Sequence, residues 1–369
     1  MNKVRSSNFE LLRIILMFSV VMHHCIFASG IEQLYDLNNN FTNTVILQCL
    51  GAWGKTAINV FVLITGYFMC KSKLTWKKIV KLFFEIKFYE FLLYSILCIL
   101  GYQQKSFETI VKLFFSIGVN INHSFVGTFV VFYLFIPVLN RLINNMDKIF
   151  YRKLLLLLFG IFTLTSTFLS NYNIFSHLSW YIVLYFFAAY FRIYPSNWMD
   201  NRRLNCFWAL FFIVLAYCSI ILIDVIDIKM QISISCYYFI INSNKIFAFL
   251  ISIFIFLWFK NINIKNNIFI NTIASGTFGV LLIHTNGQGM NKLIWNDFFD
   301  IPSYINSYPY EIVIYVFISS LVVFLVCDLI DLVRINTVEK LLFNFIAKNE
   351  MRINRILTQL NNKIEKSPW

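Results

Sequence analysis

Long apolar runs alternate with short polar breaks along almost the whole chain. Each run approaches the roughly 20 residues that a helix needs to cross about 30 Å of hydrocarbon. They predict transmembrane helices over residues 8–28, 52–70, 82–101, 125–143, 154–170, 177–194, 205–223, 244–260, 274–292 and 310–332. The stretch from Gln103 to Ile117 is typical of an amphipathic segment at the outer surface. The pattern therefore predicts an all-α integral membrane protein with about ten transmembrane helices.

The distribution of basic residues provides a second, independent prediction of topology. Alternate loops between the apolar runs are rich in Lys and Arg, beginning with Lys71 to Lys81 and ending with the segment from Arg334 onwards. Basic loops mark the cytoplasmic side of a membrane protein. We therefore expect both termini to be cytoplasmic, with residues 1–333 forming the ten-helix transmembrane domain and residues 334–369 a basic, amphipathic cytoplasmic tail.

Composition narrows the class of protein further. The chain of 369 residues is 59% hydrophobic and only 13% charged, which is too little charge to cover a water-soluble surface. The net charge of +13 is spread between the apolar runs, which favours membrane topology over nucleic-acid binding, and no nucleic-acid partner is expected. The eight cysteines form no Cys-x-x-Cys pair or Cys/His cluster, so no disulfide framework or metal site is expected. Abundant Phe, Ile, Asn and Lys fit an AT-rich bacterial genome, and we expect a multi-pass protein of the bacterial plasma membrane.

Ionisable residues within the first apolar run are candidates for chemistry, because charge inside a bilayer is costly. Arg13 and His24 are eleven residues apart, which is three helical turns plus roughly 20°, so both project from one face about 16 Å apart along the axis. His23 points well away from that line. An imidazole is the usual general base for a hydroxyl nucleophile. The structural alternative is that His24 packs through one hydrogen bond while Arg13 snorkels to the headgroups.

The first two runs carry the most specific motifs. Residues 8–13 (NFELLR) lead to the pair His23-His24, and residues 59–68 (NVFVLITGYF) include Thr65-Gly66-Tyr67. Both segments resemble the membrane acyltransferase-three family. Its members place an Arg or Lys ten residues before a His, and end a Phe-rich segment in Ser-Gly-Tyr or Ser-Gly-Phe. Thr65 stands where Ser is usual and keeps the hydroxyl group.

Later segments extend the resemblance over most of the chain. Residues 132–140 (FYLFIPVLN) resemble the family's Tyr-Leu-x-x-Pro segment, and residues 277–284 (TFGVLLIH) its late Phe-Gly-x-Tyr-Leu-Ile-His, with Leu281 in the Tyr position. Lys78-Ile79-Val80-Lys81 occupies the place of an Arg-x-x-Arg motif that the family associates with its acyl-CoA donor. Lysine meets a phosphate as a point charge, without the bidentate fork of arginine. An ordinary positively charged cytoplasmic loop is the alternative interpretation of this stretch.

The resemblance implies a membrane-bound O-acyltransferase domain over residues 1–333. It would move an acyl group, most often acetyl, from acyl-CoA to a hydroxyl of a surface polysaccharide or its lipid-linked precursor. His24 is expected to act as general base or transient acyl carrier, and Arg13 to orient the donor or stabilise negative charge. Lys78 and Lys81 are expected to attract the CoA phosphates. The remaining candidates are the supporting residues Glu10, Thr65, Gly66, Tyr67 and His284. The expected partners are acyl-CoA (acetyl-CoA above all), a glycan acceptor and membrane lipid, with no bound cofactor, and the oligomeric state stays open.

Two other classes of function fit the same hydrophobic pattern. A transporter or flippase for a glycan or small solute also has many helices around a polar cavity, although no repeated halves or paired broken helices are visible in the sequence. A membrane anchor or assembly subunit without chemistry of its own is the other alternative. A transporter should respond to an ion gradient or membrane potential, whereas the enzyme should need acyl-CoA and release a free thiol.

Overall fold

The computed structural model describes residues 6–119, 124–169, 176–231, 234–350 and 355. Within these ranges the chain is all-helical, with no strand. Its α-helices are α1 (Ser7–Phe27), α2 (Phe41–Gly51), α3 (Gly54–Met69), α4 (Trp76–Ile99), α5 (Phe107–Val119), α6 (Phe125–Asn144), α7 (Lys148–Leu158), α8 (Thr165–Phe168), α9 (His177–Ile193), α10 (Asn197–Asp200), α11 (Arg202–Met230), α12 (Ile246–Lys260), α13 (Ile268–His284), α14 (Gly287–Asn291), α15 (Pro309–Arg334) and α16 (Lys340–Lys348). π-helical turns cover Phe159–Leu164, Lys292–Phe298 and Ile335–Glu339, and 3-10 turns cover Ile31–Leu34 and Ile301–Asn306.

Several helices are suited to a bilayer by length and composition. In the described ranges, six helical segments are long and apolar enough to cross a membrane: Ser7–Phe27, Phe41–Met69, Phe125–Asn144, Lys148–Phe168, Arg202–Met230 and Pro309–Lys348. A seventh is added if α13 and Gly287–Phe298, which meet at an angle of 105°, count as one broken span. A helix also lies over each of the ten predicted apolar runs, but α9 and α12 have only 17 and 15 residues. The chain is thus a multi-pass membrane protein, while the count of ten crossings and the side of each terminus stay predictions.

Contacts between helix ends give the direction of each helix relative to α1. Ser7 near the start of α1 bonds to Asn271 near the start of α13, and His24 meets His284 at their far ends, so these two helices are parallel. The same argument from end-to-end contacts gives an alternation: α1, α4, α7, α11 and α13 run one way, and α3, α6, α9, α12 and α15 the other.

Helix α1 lies at the centre of the bundle, against α2, α3, α12, α13 and α15. Its buried side chains include Leu12, Val21 and Cys25. At its start, the Asn8 side-chain amide donates to the Phe259 backbone carbonyl at 2.9 Å and so joins α1 to the end of α12. Apolar side chains cover the outer faces of α11 and α15 and remain exposed, as expected for surfaces that meet lipid. The central position of α1 places its polar residues inside the bundle.

The described part of the predicted tail packs back onto the start of α4. Residues 335–350 form a π-helical turn and α16, and two ion pairs, Lys81–Glu339 and Lys77–Glu350, join them to α4. Arg334, at the end of α15, is buried and bonds to Glu85 of α4 at 2.8 Å. Apart from residue 355, the predicted tail beyond residue 350 lies outside the described residues.

Candidate active site

Three cavities lie in a row beside α1. The central cavity, of about 450 Å³, is lined by Arg13, His23, His24 and Lys55 among others. A larger cavity of about 800 Å³ lies toward the start of α1, and we call it the basic cavity because Lys71, Lys78, Lys81, Arg13 and Arg192 line it. A third of about 670 Å³, the aromatic cavity, lies toward the end of α1 and is lined by Phe27, Tyr35 and Tyr237 among others.

Shared wall residues connect the three cavities. Arg13 and Thr65 line both the basic and the central cavity. His23 and Lys55 line both the central and the aromatic cavity. The cavities therefore adjoin one another along α1. Arg13 and His24 face the same central cavity, as expected for two side chains that share one face of a helix.

Hydrogen bonds define the tautomer of the histidine pair. The Nδ1 atom of His284 lies 2.6 Å from the Val280 backbone carbonyl, which can only accept, so His284 Nδ1 carries the proton. In a neutral ring His284 Nε2 is then an acceptor, and His24 Nδ1, at 3.2 Å, must donate to it. This leaves His24 Nε2 with a free lone pair on a side chain that lines the central cavity. The arrangement suits a general base or a nucleophile.

His284 lies at a break between two helices. It is the last residue of α13, it is fully buried, and the chain turns by 105° into the segment that begins at Gly287. The carbonyl end of a helix carries partial negative charge, which favours a cation within its last turn. The end of α13 would therefore favour a positive charge on His24, whose ring contacts His284. His284 thus orients His24 through a hydrogen bond and also places it near the negatively charged carbonyl end of α13.

Arg13 and its neighbours form the wall between the central and basic cavities. The Arg13 guanidinium is paired with Glu10 at 3.4 Å, and about a third of the Arg13 side chain is exposed. The Thr65 hydroxyl donates to the Phe61 backbone carbonyl at 2.9 Å. The Thr65 hydroxyl proton is thus used in a hydrogen bond within its own helix, and the oxygen can only accept a hydrogen bond from a group in the cavities. Glu10 holds the cation that faces both cavities.

Gly66 and Tyr67 have different surroundings from Thr65. A Cβ atom on Gly66 would lie 2.9 Å from Ala188 Cβ, so the glycine allows α3 to approach α9 closely. Gly66 is not among the residues that line the three cavities. The Tyr67 hydroxyl accepts a hydrogen bond from Arg192 at 2.9 Å, and the guanidinium also lies 4.7 Å from the Tyr67 ring centroid. Tyr67 therefore positions a cation of the basic cavity.

The basic cavity brings Lys78 and Lys81 together, one turn apart on α4. Lys78 Nζ donates to Ser72 Oγ at 3.0 Å and to the Lys73 carbonyl at 3.2 Å. Lys81 is paired with Glu339. Among the described residues, five cations and two carboxylates, Glu10 and Glu85, line this cavity. The excess of positive charge suits an anionic ligand such as a nucleotide phosphate.

The wall residues that were not sequence candidates include His23, Lys55 and Arg192. His23, which points away from the line of Arg13 and His24, donates from Nδ1 to the Gly51 backbone carbonyl at 2.6 Å and also lines two cavities. Lys55 lies near the start of the predicted run 52–70, where the rule for charges inside a membrane could have identified it. Arg192 resembled an ordinary basic loop residue, and only its contact with Tyr67 distinguishes it.

Comparison with known proteins yields one family. A family model described as an acyltransferase domain matches residues 6–331, nearly the whole chain. No curated protein and no solved structure matches. The matched region contains the histidine pair, Arg13 and the residues that line all three cavities.

Proposed function

Because the chain belongs to the acyltransferase-three family, whose members are membrane acyltransferases, we propose that it moves an acyl group, acetyl above all, from acyl-CoA to a glycan hydroxyl. The acceptor would be a surface polysaccharide or its lipid-linked precursor. The observation that carries the proposal is the His24–His284 pair, which leaves a lone pair on His24 Nε2 in the central cavity.

The proposed reaction needs one proton acceptor near the acyl group. His24 Nε2 takes the proton of the acceptor hydroxyl as its oxygen attacks the thioester carbonyl. The new C–O bond forms, the C–S bond breaks, and the proton passes from His24 to the sulfur, so CoA leaves as the free thiol. If His24 instead carries the acyl group transiently, the same nitrogen attacks the thioester first and the C–S bond breaks to release the CoA thiolate. The acceptor hydroxyl then displaces the imidazole from the acyl group, and its proton goes to the thiolate. Arg13 stabilises negative charge on the thioester oxygen or orients the donor.

The row of cavities supports an approach of the two substrates from opposite sides. Acyl-CoA would enter through the basic cavity, where Lys78, Lys81 and Arg192 meet its phosphates. The acceptor would enter through the aromatic cavity, and the two would meet at His24. The basic loops predict that the donor side is cytoplasmic. The alternation of ten helix directions supports ten crossings with both termini on that side, in a bacterial plasma membrane.

One experiment separates this function from transport. Surface glycans are compared by mass spectrometry in cells with the intact gene, a deletion, and the His24→Ala variant. Loss of one defined acyl mass in both altered strains is expected, with the variant still present in the membrane. Unchanged acylation together with reduced glycan export or solute uptake would favour a transporter or flippase.

Labelling tests the two-sided geometry separately. A single cysteine at position 24, in a background without the native cysteines, is treated with membrane-impermeant reagents from either side. Protection by acyl-CoA from the cytoplasmic side and access for small reagents from the opposite side are expected. Labelling from the cytoplasmic side alone would contradict the two-sided approach.

A further inference from the structure

Lys55 lies where the central and aromatic cavities meet. It is the second residue of α3 and lines both cavities together with His23. Its neighbour Gly54 packs directly on the His23 ring, since a Cβ atom there would lie 2.5 Å from two ring carbons. This close packing holds the start of α3, and with it Lys55, beside the histidines. Lys55 and His23 therefore lie where the aromatic cavity adjoins the cavity that His24 lines.

The charge of Lys55 is not balanced by the described protein. The side chain is half-buried, yet among the described residues its ammonium forms no ion pair and no hydrogen bond. Glu32 also lines the aromatic cavity but is exposed and makes no ion pair with Lys55. A partly desolvated cation without a counter-ion is costly, and such residues within a membrane protein commonly mark a ligand site.

The position of Lys55 indicates which ligand supplies the counter-charge. The phosphates of acyl-CoA have five cations available in the basic cavity, which adjoins the other end of the central cavity at Arg13 and Thr65. Lys55 is on the acceptor side of His24. There the wall combines the aromatic faces of Phe27 and Tyr237, 5.6 Å apart, with polar groups from Gln33 and Ser235. Aromatic faces with a few polar groups suit an amphipathic small-molecule ligand such as a sugar.

We propose that Lys55 binds a negative charge on the acceptor, a carboxylate or a phosphate close to the hydroxyl that is acylated. The acceptor class is then an anionic glycan, and the aromatic cavity is its binding site. This inference rests on the proposed acyl transfer for the identity of the ligand. The anion site itself is testable without any acyl transfer.

The test uses purified full-length protein in phosphatidylcholine nanodiscs, which present no anionic lipid. Three probes share the same ring hydroxyls: octyl glucoside is neutral, octyl glucuronide carries a carboxylate, and octyl glucosyl phosphate carries a phosphodiester. Binding is measured without donor, and thiol release is measured with acetyl-CoA. Lys55→Met removes the charge, Lys55→Arg keeps it, and Lys229→Met, at an exposed lysine near the end of α11, is the matched control.

The wild-type protein is expected to bind at least one anionic probe about tenfold or more tightly than octyl glucoside, because a charge-assisted hydrogen bond is formed away from bulk water. The stronger of the two anionic probes identifies the carboxylate or the phosphate as the natural group. Lys55→Met should abolish the preference without changing the KM for acetyl-CoA, while Lys55→Arg and Lys229→Met should keep it. A preference that is absent in the wild type, or that survives in Lys55→Met, overturns the proposal.

Two further outcomes separate this inference from the proposed function. An equal loss of kcat with all three acceptors in Lys55→Met would mean that Lys55 acts on the reacting atoms, and would also overturn the acceptor-anion site. Lys55-dependent binding without thiol release from any acceptor would retain the anion site and reject the acyl transfer. Thiol release that is equal for the three acceptors would retain the enzyme and reject the site.

Discussion

His24 Nδ1 lies 3.2 Å from His284 Nε2, although the two residues are 260 positions apart in the chain. His284 Nδ1 donates its proton to the Val280 carbonyl, so in the neutral pair His284 Nε2 can only accept and His24 Nδ1 must donate. One residue thereby determines which nitrogen of the other is basic. The same logic operates in hydrolases whose catalytic histidine is oriented by a carboxylate.

The first prediction concerns the orienting partner. His284→Leu removes the acceptor of the His24 Nδ1 proton, so His24 can adopt the tautomer with Nε2 protonated, and we expect kcat to fall by about 100-fold. His284→Gln should keep most activity, because its side-chain oxygen can accept from His24 and its amide can donate to the Val280 carbonyl. Thiol release from acetyl-CoA in nanodiscs provides the measurement. Equal activities of the two variants, at equal thermal stability, would exclude a tautomer effect.

Arg13 is predicted to act on the donor. Arg13→Gln should raise the KM for acetyl-CoA by about tenfold or more and also lower kcat, since one charge-assisted hydrogen bond at the wall between the basic and central cavities is lost. Arg13→Lys should lose less, because the positive charge remains. Initial rates at varied acetyl-CoA and fixed acceptor separate the two parameters. A change in the KM for the acceptor alone would assign Arg13 to the other substrate.

Arg13 and His24 also show how much of the site can be predicted from the sequence. The common face of Arg13 and His24 follows from the helical period, which needs no knowledge of the rest of the fold. The contact between His24 and His284 cannot be derived from the helical period, because it depends on where α13 ends and on the parallel packing of α13 with α1. Lys55 and Arg192 occupy helix ends, where a basic residue is also explained by topology, and only their cavities distinguish them. The apolar runs located the helices, whereas long-range packing determined the site.

Arg192 is predicted to contribute more to donor binding than Lys81. Lys81 is already paired with Glu339, while among the described residues Arg192 donates a hydrogen bond to the uncharged Tyr67 and has no carboxylate within ion-pair distance. Arg192→Gln should therefore raise the KM for acetyl-CoA by about tenfold, and Lys81→Met by a smaller factor. Steady-state kinetics with acetyl-CoA supply both values.

A donor without phosphates controls for indirect effects. S-acetyl-N-acetylcysteamine has the same thioester but no nucleotide, so neither variant should alter its KM. Parallel losses with both donors would mean that Arg192 acts through the packing of α3 on α9 and not through phosphate binding.

Gly66 is predicted to act through packing alone. Gly66→Ala places a methyl group 2.9 Å from Ala188 Cβ and should destabilise the protein by about 1–3 kcal/mol. Ala188→Gly removes that opposing atom, so the double variant should recover part of the stability. Thermal unfolding followed by size-exclusion chromatography in detergent measures both effects. Loss of activity in Gly66→Ala at unchanged stability would instead give Gly66 a place in the site.

The buried ion cluster at the end of α15 is predicted to contribute strongly to the stability of the fold. Arg334 is 3% exposed and bonds to Glu85, Asp331 and Glu339 at 2.6–2.8 Å. Arg334→Met would leave these carboxylates buried without their cation, and should reduce the free energy of unfolding by about 3–5 kcal/mol. It should also loosen α16 from α4, because Glu339 would then be held by Lys81 alone.

The control for this last prediction is an ion pair of the opposite kind. Lys112 and Glu108 on α5 are both mostly exposed, and Lys112→Met should leave the unfolding temperature unchanged because exposed pairs contribute little. Replacing Arg334 and Glu85 together by Met should recover part of the loss, since the buried carboxylate that faces the missing cation is removed with it. An unfolding temperature for Arg334→Met equal to that of Lys112→Met would show that the cluster does not stabilise the bundle. Recovery of stability in the double variant would assign the loss to the Arg334–Glu85 bond between α15 and α4.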